Sequence, residues 1–264
     1  MTLPPFQELL YSVADSVCTL TLNRPQRRNA LTPTLVNELI VGLETAAADP
    51  RVGAIVLTGS GSAFCAGADL AAFQGSSSSS SDMPHRGGFV ELNLAFQRVG
   101  KPVIARVERY ALAGGLGLMC ACQFAIAEDT ATFGTPEIDR GIFPMMIMAN
   151  IFRLIPRRKG LELVLLGERI SAEQAVEMGL INRSVPSDEL DEAVLSLAHR
   201  LASKAPNAMR IGLNAFYTQS DQDFETGLRY LETALQECLQ SPDALEGITA
   251  FLEKRPPKWP SRES

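Results

Sequence analysis

The stretch "ALAGGLGLM", residues 111–119, sets Gly114, Gly115 and Gly117 in an otherwise apolar run behind a strand-like segment. Glycines in such a place let backbone come close to a partner. They do not form a dinucleotide fingerprint, because G-x-G-x-x-G counted from Gly115 needs glycine where Cys120 stands. No P-loop lysine follows, and "TGSGSAF" holds its serine out of register for a G-x-S-x-G nucleophile elbow. What the run offers is the start of a helix, where unpaired N–H groups and the positive end of the dipole point at one spot, the raw material of an oxyanion hole. A second small-residue turn lies upstream in "SAFCAGADL", with Ala66, Gly67 and Ala68 ahead of Asp69. Two such turns, side by side, would aim two backbone donors at one carbonyl oxygen. The Asp69 carboxylate is expected to order its turn by accepting backbone N–H bonds, so its loss should cost stability more than chemistry.

Composition removes several rival classes. With 264 residues, 46% of them hydrophobic, the chain can build a large core, and a net charge of −6 leaves no clustered basic surface for nucleic acid. No stretch reaches about 18 apolar residues, and "MTLPPFQELL" lacks a basic leader region, so a soluble cytoplasmic chain without membrane contact is expected. The cysteines number five, an odd count without framework spacing, which reads as reduced, buried thiols. Cys120 and Cys122 are too close for the usual metal pair, and His85 and His199 are the only histidines; no metal site is expected.

The elements that must position these turns follow from periodicity. Val17, Thr19 and Thr21 alternate with Cys18, Leu20 and Leu22 as one strand of an opening hairpin that stops at Pro25. Thr32 and Pro33 start an amphipathic helix that runs to Ala48. "VGAIVLTGSG" is a short buried strand, and "KPVIARVERYALAGG" and "QFAIAEDTATFGTPEI" supply further strands. The low-complexity segment 75–88, rich in serine, reads as a surface loop with nothing to bury. After Pro144 the pattern is helical: "ANIFRLIP", "RKGLELVLLG", "SAEQAVEMG", "DELDEAVLSLAHRLASK" and a long stretch from Asp223 to Gln240. Ser171 with Gln174 forms a capping box, and Gly167 and Gly179 close helices.

Six ordered motifs carry a resemblance: "NRPQRRNAL", "FCAGADL", "KPVIARVERYALAGGLGL", "FGTPEIDRGIFP", "GERISAEQAVEMGLINRSVP" and "FLEKRPP". The chain resembles the crotonase family, the enoyl-CoA hydratases and isomerases. The resemblance implies an α/β fold, a spiral of repeated ββα units over residues 1–195, and a C-terminal helical oligomerisation lobe over 196–264, assembled as a homotrimer or a dimer of trimers. It implies a coenzyme A thioester as ligand, with no separate cofactor because the coenzyme is part of the substrate. The implied oxyanion donors are the Ala66 and Gly114 N–H groups, within a substrate-binding turn of Ala66, Gly67, Ala68 and Asp69.

Hydratases of this family commonly use two glutamates. The second position is Glu137; the first falls on Gly117, which has no side chain. One carboxylate in an apolar pocket can still move a proton between carbons, which favours double-bond isomerisation, or hydration of a special substrate, over plain hydration. A thioester binder without turnover, or a decarboxylase or hydrolase of the same fold, are the rival readings. Met145, Met146, Ile147 and Met148 follow Pro144 where small residues are more usual, and suggest a bulky, dry pocket or the core face of a helix. Arg24, Arg27 and Arg28 are expected near the coenzyme phosphates, and Phe251 and Lys254 match positions that reach a neighbouring subunit's coenzyme.

Overall fold

The computed structural model describes residues 5–74 and 83–262. Strands Leu9–Ala14 (β1) and Val17–Leu22 (β2) form the opening antiparallel hairpin, turned by Asp15 and Ser16 at φ 47° and 64°. Both turn residues at positive φ match the right-handed twist of the flanking strands. In β2, Leu20 and Leu22 are buried while Thr19 and Thr21 are half-buried, as the alternation predicts. Helix Pro33–Ala48 (α1) starts where Thr32 Oγ1 accepts the Leu35 N–H at 3.0 Å. The Lys101 ammonium meets its last carbonyls, donating to Ala46 O at 2.7 Å and Asp49 O at 2.6 Å.

The chain then alternates between two sheets. Ala54–Gly59 (β3) is followed by short helix Leu70–Gln74 (α2) and helix Phe89–Arg98 (α3). Val103–Val107 (β4), Tyr110–Leu112 (β5), helix Gly114–Ala121 (α4), Phe124–Glu128 (β6) and Thr132–Gly134 (β7) come next. Helices Met145–Leu154 (α5) and Arg157–Leu166 (α6), strand Ile170–Ser171 (β8), helix Ala172–Glu177 (α7) and strand Arg183–Val185 (β9) complete the layers. The large sheet has the order β1-β2-β3-β4-β6-β9, parallel from β2 onward, and the small one β5-β7-β8. Isolated parallel bridges Leu31↔Ala68 and Cys65↔Ala111 lead each earlier turn of the spiral toward the small sheet. Strands from successive turns thus lie side by side, and their connecting turns line up at one edge.

Helix Leu190–Ala202 (α8) buries Leu190, Val194, Ala198 and Ala202 against Val17, Ala54, Val56, Ile104 and Ile126. The expected boundary at 195/196 falls inside this helix, which packs on the sheet through its whole length. Helices Pro206–Ser220 (α9), Phe224–Leu239 (α10) and Pro242–Leu252 (α11) form a separate group around Ile211, Ala215 and Ala234. Ser171 and Gln174 make the expected capping box, and Gly167 ends α6 at φ 68°. Among the described residues, four α-helices lie outside the helical stretches read from the sequence: α2, α3, α9 and α11. Of the segment 75–88, residues 75–82 lie outside the described residues. Met83, however, is buried, and buried Asn37 on α1 accepts the Arg86 N–H at 2.6 Å and donates to Pro84 O at 3.2 Å. This end of the segment is anchored rather than free of burial.

Candidate functional site

The two small-residue turns meet. Gly67 sits at φ 107°, and a Cβ there would lie 2.7 Å from the Ala113 Cβ; one on Gly115 would lie 2.5 Å from Cys65 O. Both glycines are needed for this contact between backbones. Ala113, the residue before α4, holds φ 49° and ψ −126°, a strained conformation for alanine, and its N–H donates to Gly134 O at 2.9 Å.

The geometry corrects one donor. The Ala66 N–H is spent on Arg28 O at 3.0 Å, so it cannot serve a ligand. At the Leu31↔Ala68 bridge the ladder bonds run from Leu31 N–H to Gly67 O and from Asp69 N–H to Leu31 O, both 2.8 Å. A parallel bridge uses the groups on either side of the bridged residue, so the Ala68 N–H itself finds no acceptor among the described residues. Gly114 is the first residue of α4, and its N–H is likewise unpaired among the described residues. A Cβ on Gly114 would be 3.6 Å from Ala68 N. The free pair is Ala68 and Gly114.

Glu137 reaches the same place from a 3-10 turn, Pro136–Arg140, directly after β7. Buried Thr135 anchors that turn by donating to Leu163 O at 2.7 Å. Glu137 Oε2 is buried without a hydrogen-bond partner among the described residues. Burial raises this carboxyl above its ordinary range, against the pull of the Arg140 guanidinium. Ala68, Gly114 and Glu137 line two adjoining cavities, one of about 920 Å³ and one of about 170 Å³. They form the neck between them.

Arg27, Arg28, Arg109, Arg140 and Arg169 line the larger cavity, and none makes an ion pair among the described residues. In a chain of net charge −6 this is a concentrated positive wall. Arg24 is not part of it: largely buried, it pairs with Glu8 at 3.0 Å and Asp69 at 3.2 Å and donates to Ala30 O. Asp69 therefore holds Arg24 and accepts the Ala72 N–H at 3.4 Å in α2; it accepts no N–H from the 66–68 turn, contrary to expectation. Buried Asn29 fixes the same loop, accepting Arg24 N–H and donating to Ser60 O and Ala63 O. Phe251 and Lys254 are exposed at the end of α11 and line no part of this cavity in the single chain.

The smaller cavity lies between α3, α4 and α5. Phe89, Leu92 and Phe96 of α3 face Gly117, Leu118 and Ala121 of α4 and Met145, Met146 and Ile147 of α5, with Phe143 beside them. Met148 lines neither cavity. Ile147 occupies the place of the absent side chain: a Cβ on Gly117 would lie 2.2 Å from Ile147 Cγ2. The α3 wall has one local signal in the sequence, Glu91 three residues after Gly88, whose N–H donates to Glu91 Oε2 at 2.9 Å. Among the described residues no group of three His, Cys, Asp or Glu side chains is arranged to hold a metal, and no helix is long and apolar enough to cross a membrane.

Two stability measurements check this geometry. Gly117→Ala should destabilise the protein by about 1–3 kcal/mol through overpacking, and the loss should shrink in Gly117→Ala/Ile147→Ala, measured by urea unfolding as a double-mutant cycle. For Glu137, a raised carboxyl pKa in the folded state means stability falls as pH rises from the ordinary carboxylate range through the raised value, and stays lower above it. Glu137→Gln should therefore melt higher than wild type above neutrality, with the difference disappearing below the ordinary carboxylate range.

Residues 12–262 match the family model described as enoyl-CoA hydratase/isomerase. A probable enoyl-CoA hydratase of Rhizobium meliloti is 36% identical over 97% of this chain and 99% of its own. The 2,3-dehydroadipyl-CoA hydratase of Escherichia coli is 35% identical over 97% of this chain and 99% of its own. Among solved structures, an enoyl-CoA hydratase of Mycobacterium smegmatis superposes with a TM-score of 0.87 at 35% identity, covering 96% of this chain and 99% of that one.

Proposed function

This chain belongs to the enoyl-CoA hydratase/isomerase family, and on that premise we propose that it isomerises the double bond of an enoyl-CoA thioester with Glu137 as its single acid-base group. The observation that carries the reading is the buried, unpartnered Glu137 Oε2 at the neck it shares with the Ala68 and Gly114 N–H groups. The thioester oxygen accepts both N–H bonds, and the acyl chain enters the smaller cavity. The arginine wall of the larger cavity suits the coenzyme's phosphates. With a 3-enoyl thioester, the Glu137 carboxylate takes a proton from C2, and the electron pair spreads over the dienolate onto the thioester oxygen. The two amides stabilise that charge in a water-poor site, where one such donor is worth about 3–4 kcal/mol. The carboxylic acid then returns the proton at C4, leaving the 2-enoyl thioester. No water enters the balance, and Ile147 at Gly117 fills the volume in which a second acid would hold one.

The chain's assembly follows from the lobe. On α10, Phe224, Leu228, Leu231, Leu235 and Leu239 recur at helical spacing and are all exposed, an apolar stripe that suits contact between copies of this chain. We take it as the contact of a homotrimer or a dimer of trimers, which would also bring Phe251 and Lys254 to a neighbour's coenzyme. Light scattering should return the mass of three or six chains.

Exchange of the α-proton of a bound acyl-CoA in heavy water tests the chemistry. Wild type should exchange it and convert 3-enoyl to 2-enoyl thioesters; Glu137→Gln should be slower by about 100-fold or more. Equal rates in the variant would remove Glu137 from the mechanism. Binding without exchange or conversion would make the protein a thioester binder, and formation of a 3-hydroxyacyl product from a 2-enoyl thioester would make it a hydratase.

A further inference from the structure

We infer that the hydrogen-bonded pair Asn93–Asn150 is the end stop of the acyl pocket and limits the thioester to a short acyl chain; this rests on the acyl-CoA reading above. The smaller cavity measures about 170 Å³. An engineered apolar cavity of about 150 Å³ holds one benzene ring, so this pocket takes about six carbons. Its lining is apolar except for Glu137 at the neck and Asn93.

Asn93 and Ala121 also line a second, larger cavity of about 690 Å³, which includes Asn150, Gln97, Leu213 and Phe216. The partition between the two spaces is therefore one residue thick at these positions. Asn93 is held there from both sides. Its Nδ2 donates to Phe89 O at 2.7 Å within α3, and its Oδ1 accepts from Asn150 Nδ2 of α5 at 2.7 Å. The hydrogen bond between the two side-chain amides thus ties together two of the three helices that wall the pocket. A methylene chain advancing past Asn93 must break the bond to Asn150, so that Asn93 Oδ1 and Asn150 Nδ2 lose their mutual partner beside hydrocarbon, which opposes entry. With the bond removed, the larger cavity becomes the continuation of the pocket, and each further buried methylene favours binding. Asn93 and Asn150 are in this sense specificity-determining residues: they take no part in proton transfer and decide which acyl chains reach Glu137 in a bound pose.

Titration calorimetry with hexanoyl-CoA and decanoyl-CoA tests the assignment on the full chain. Wild type should bind hexanoyl-CoA at least as tightly as decanoyl-CoA. Asn93→Ala should reverse the order, with decanoyl-CoA favoured by about tenfold or more. Asn150→Ala breaks the same bond from α5, outside the lining of the acyl pocket, and should reverse it too, so the test survives if one variant does not fold. A ratio unchanged within about twofold in a folded variant that still binds hexanoyl-CoA would overturn the end stop and leave the acyl-CoA reading intact. Wild type that already favours decanoyl-CoA by about tenfold would overturn it as well. Wild type that binds neither thioester would overturn both.

Discussion

The site depends on a contact between two backbones. Gly67 and Gly115 let the turn after Phe64 and the start of α4 approach until a Cβ on either would collide, one with Ala113 and the other with Cys65. That closeness sets the Ala68 and Gly114 N–H groups side by side while the ladder with Leu31 and the bond from Ala66 to Arg28 take up the neighbouring donors. Ala113 carries the strain of the corner, and the small sheet balances it through Gly134 O. The same peptide places β7, and so the turn that bears Glu137, against the donors. Two N–H donors without acceptors among the described residues and a carboxyl group are thus positioned by backbone, with little left to flexible side chains.

Around this neck the two cavities differ in character. On one side lie five arginines without carboxylate partners among the described residues; on the other, aromatic and aliphatic side chains of α3, α4 and α5. A ligand with a polyanionic body and an apolar tail fits that division, its junction at the donors. Asp69, which lines the cavity of the arginine wall, is already engaged by Arg24, and the largely buried Arg24 also pairs with Glu8. The loop "NRPQRRNAL" therefore divides its labour. Arg24 and Asn29 build the loop, and Arg27 and Arg28 face the cavity.

The packing of Ile147 onto Gly117 is where fold and reaction meet. α4 and α5 come close enough for a methyl group to occupy the volume of a side chain at 117, so the helix pair gains apolar contact where a second acid would otherwise project. Glu137, the acid that is present, lies in a site whose burial raises its proton affinity. On α4 beside Gly117, the buried Cys120 thiol is pushed up to about 12 by its burial.

By itself the sequence determined the opening hairpin, α1 with its Thr32 cap, the buried strands, the capping box at Ser171 and, through the order of its motifs, the spiral fold. These are local patterns of period two or 3.6, or residue types at fixed offsets, and they are legible without knowing what lies opposite. The free donor was not legible. Ala66 and Ala68 are the same residue type two positions apart, and only the pairing with Arg28 on one and Leu31 on the other decides which N–H is left over. Nor were the bonds of Asp69, the retreat of Arg24 from the surface, or the filling of Gly117 by Ile147, since each depends on a partner distant in the chain. The sequence specifies which groups are present; the tertiary structure decides which of them are already satisfied, and chemistry falls to those that are not.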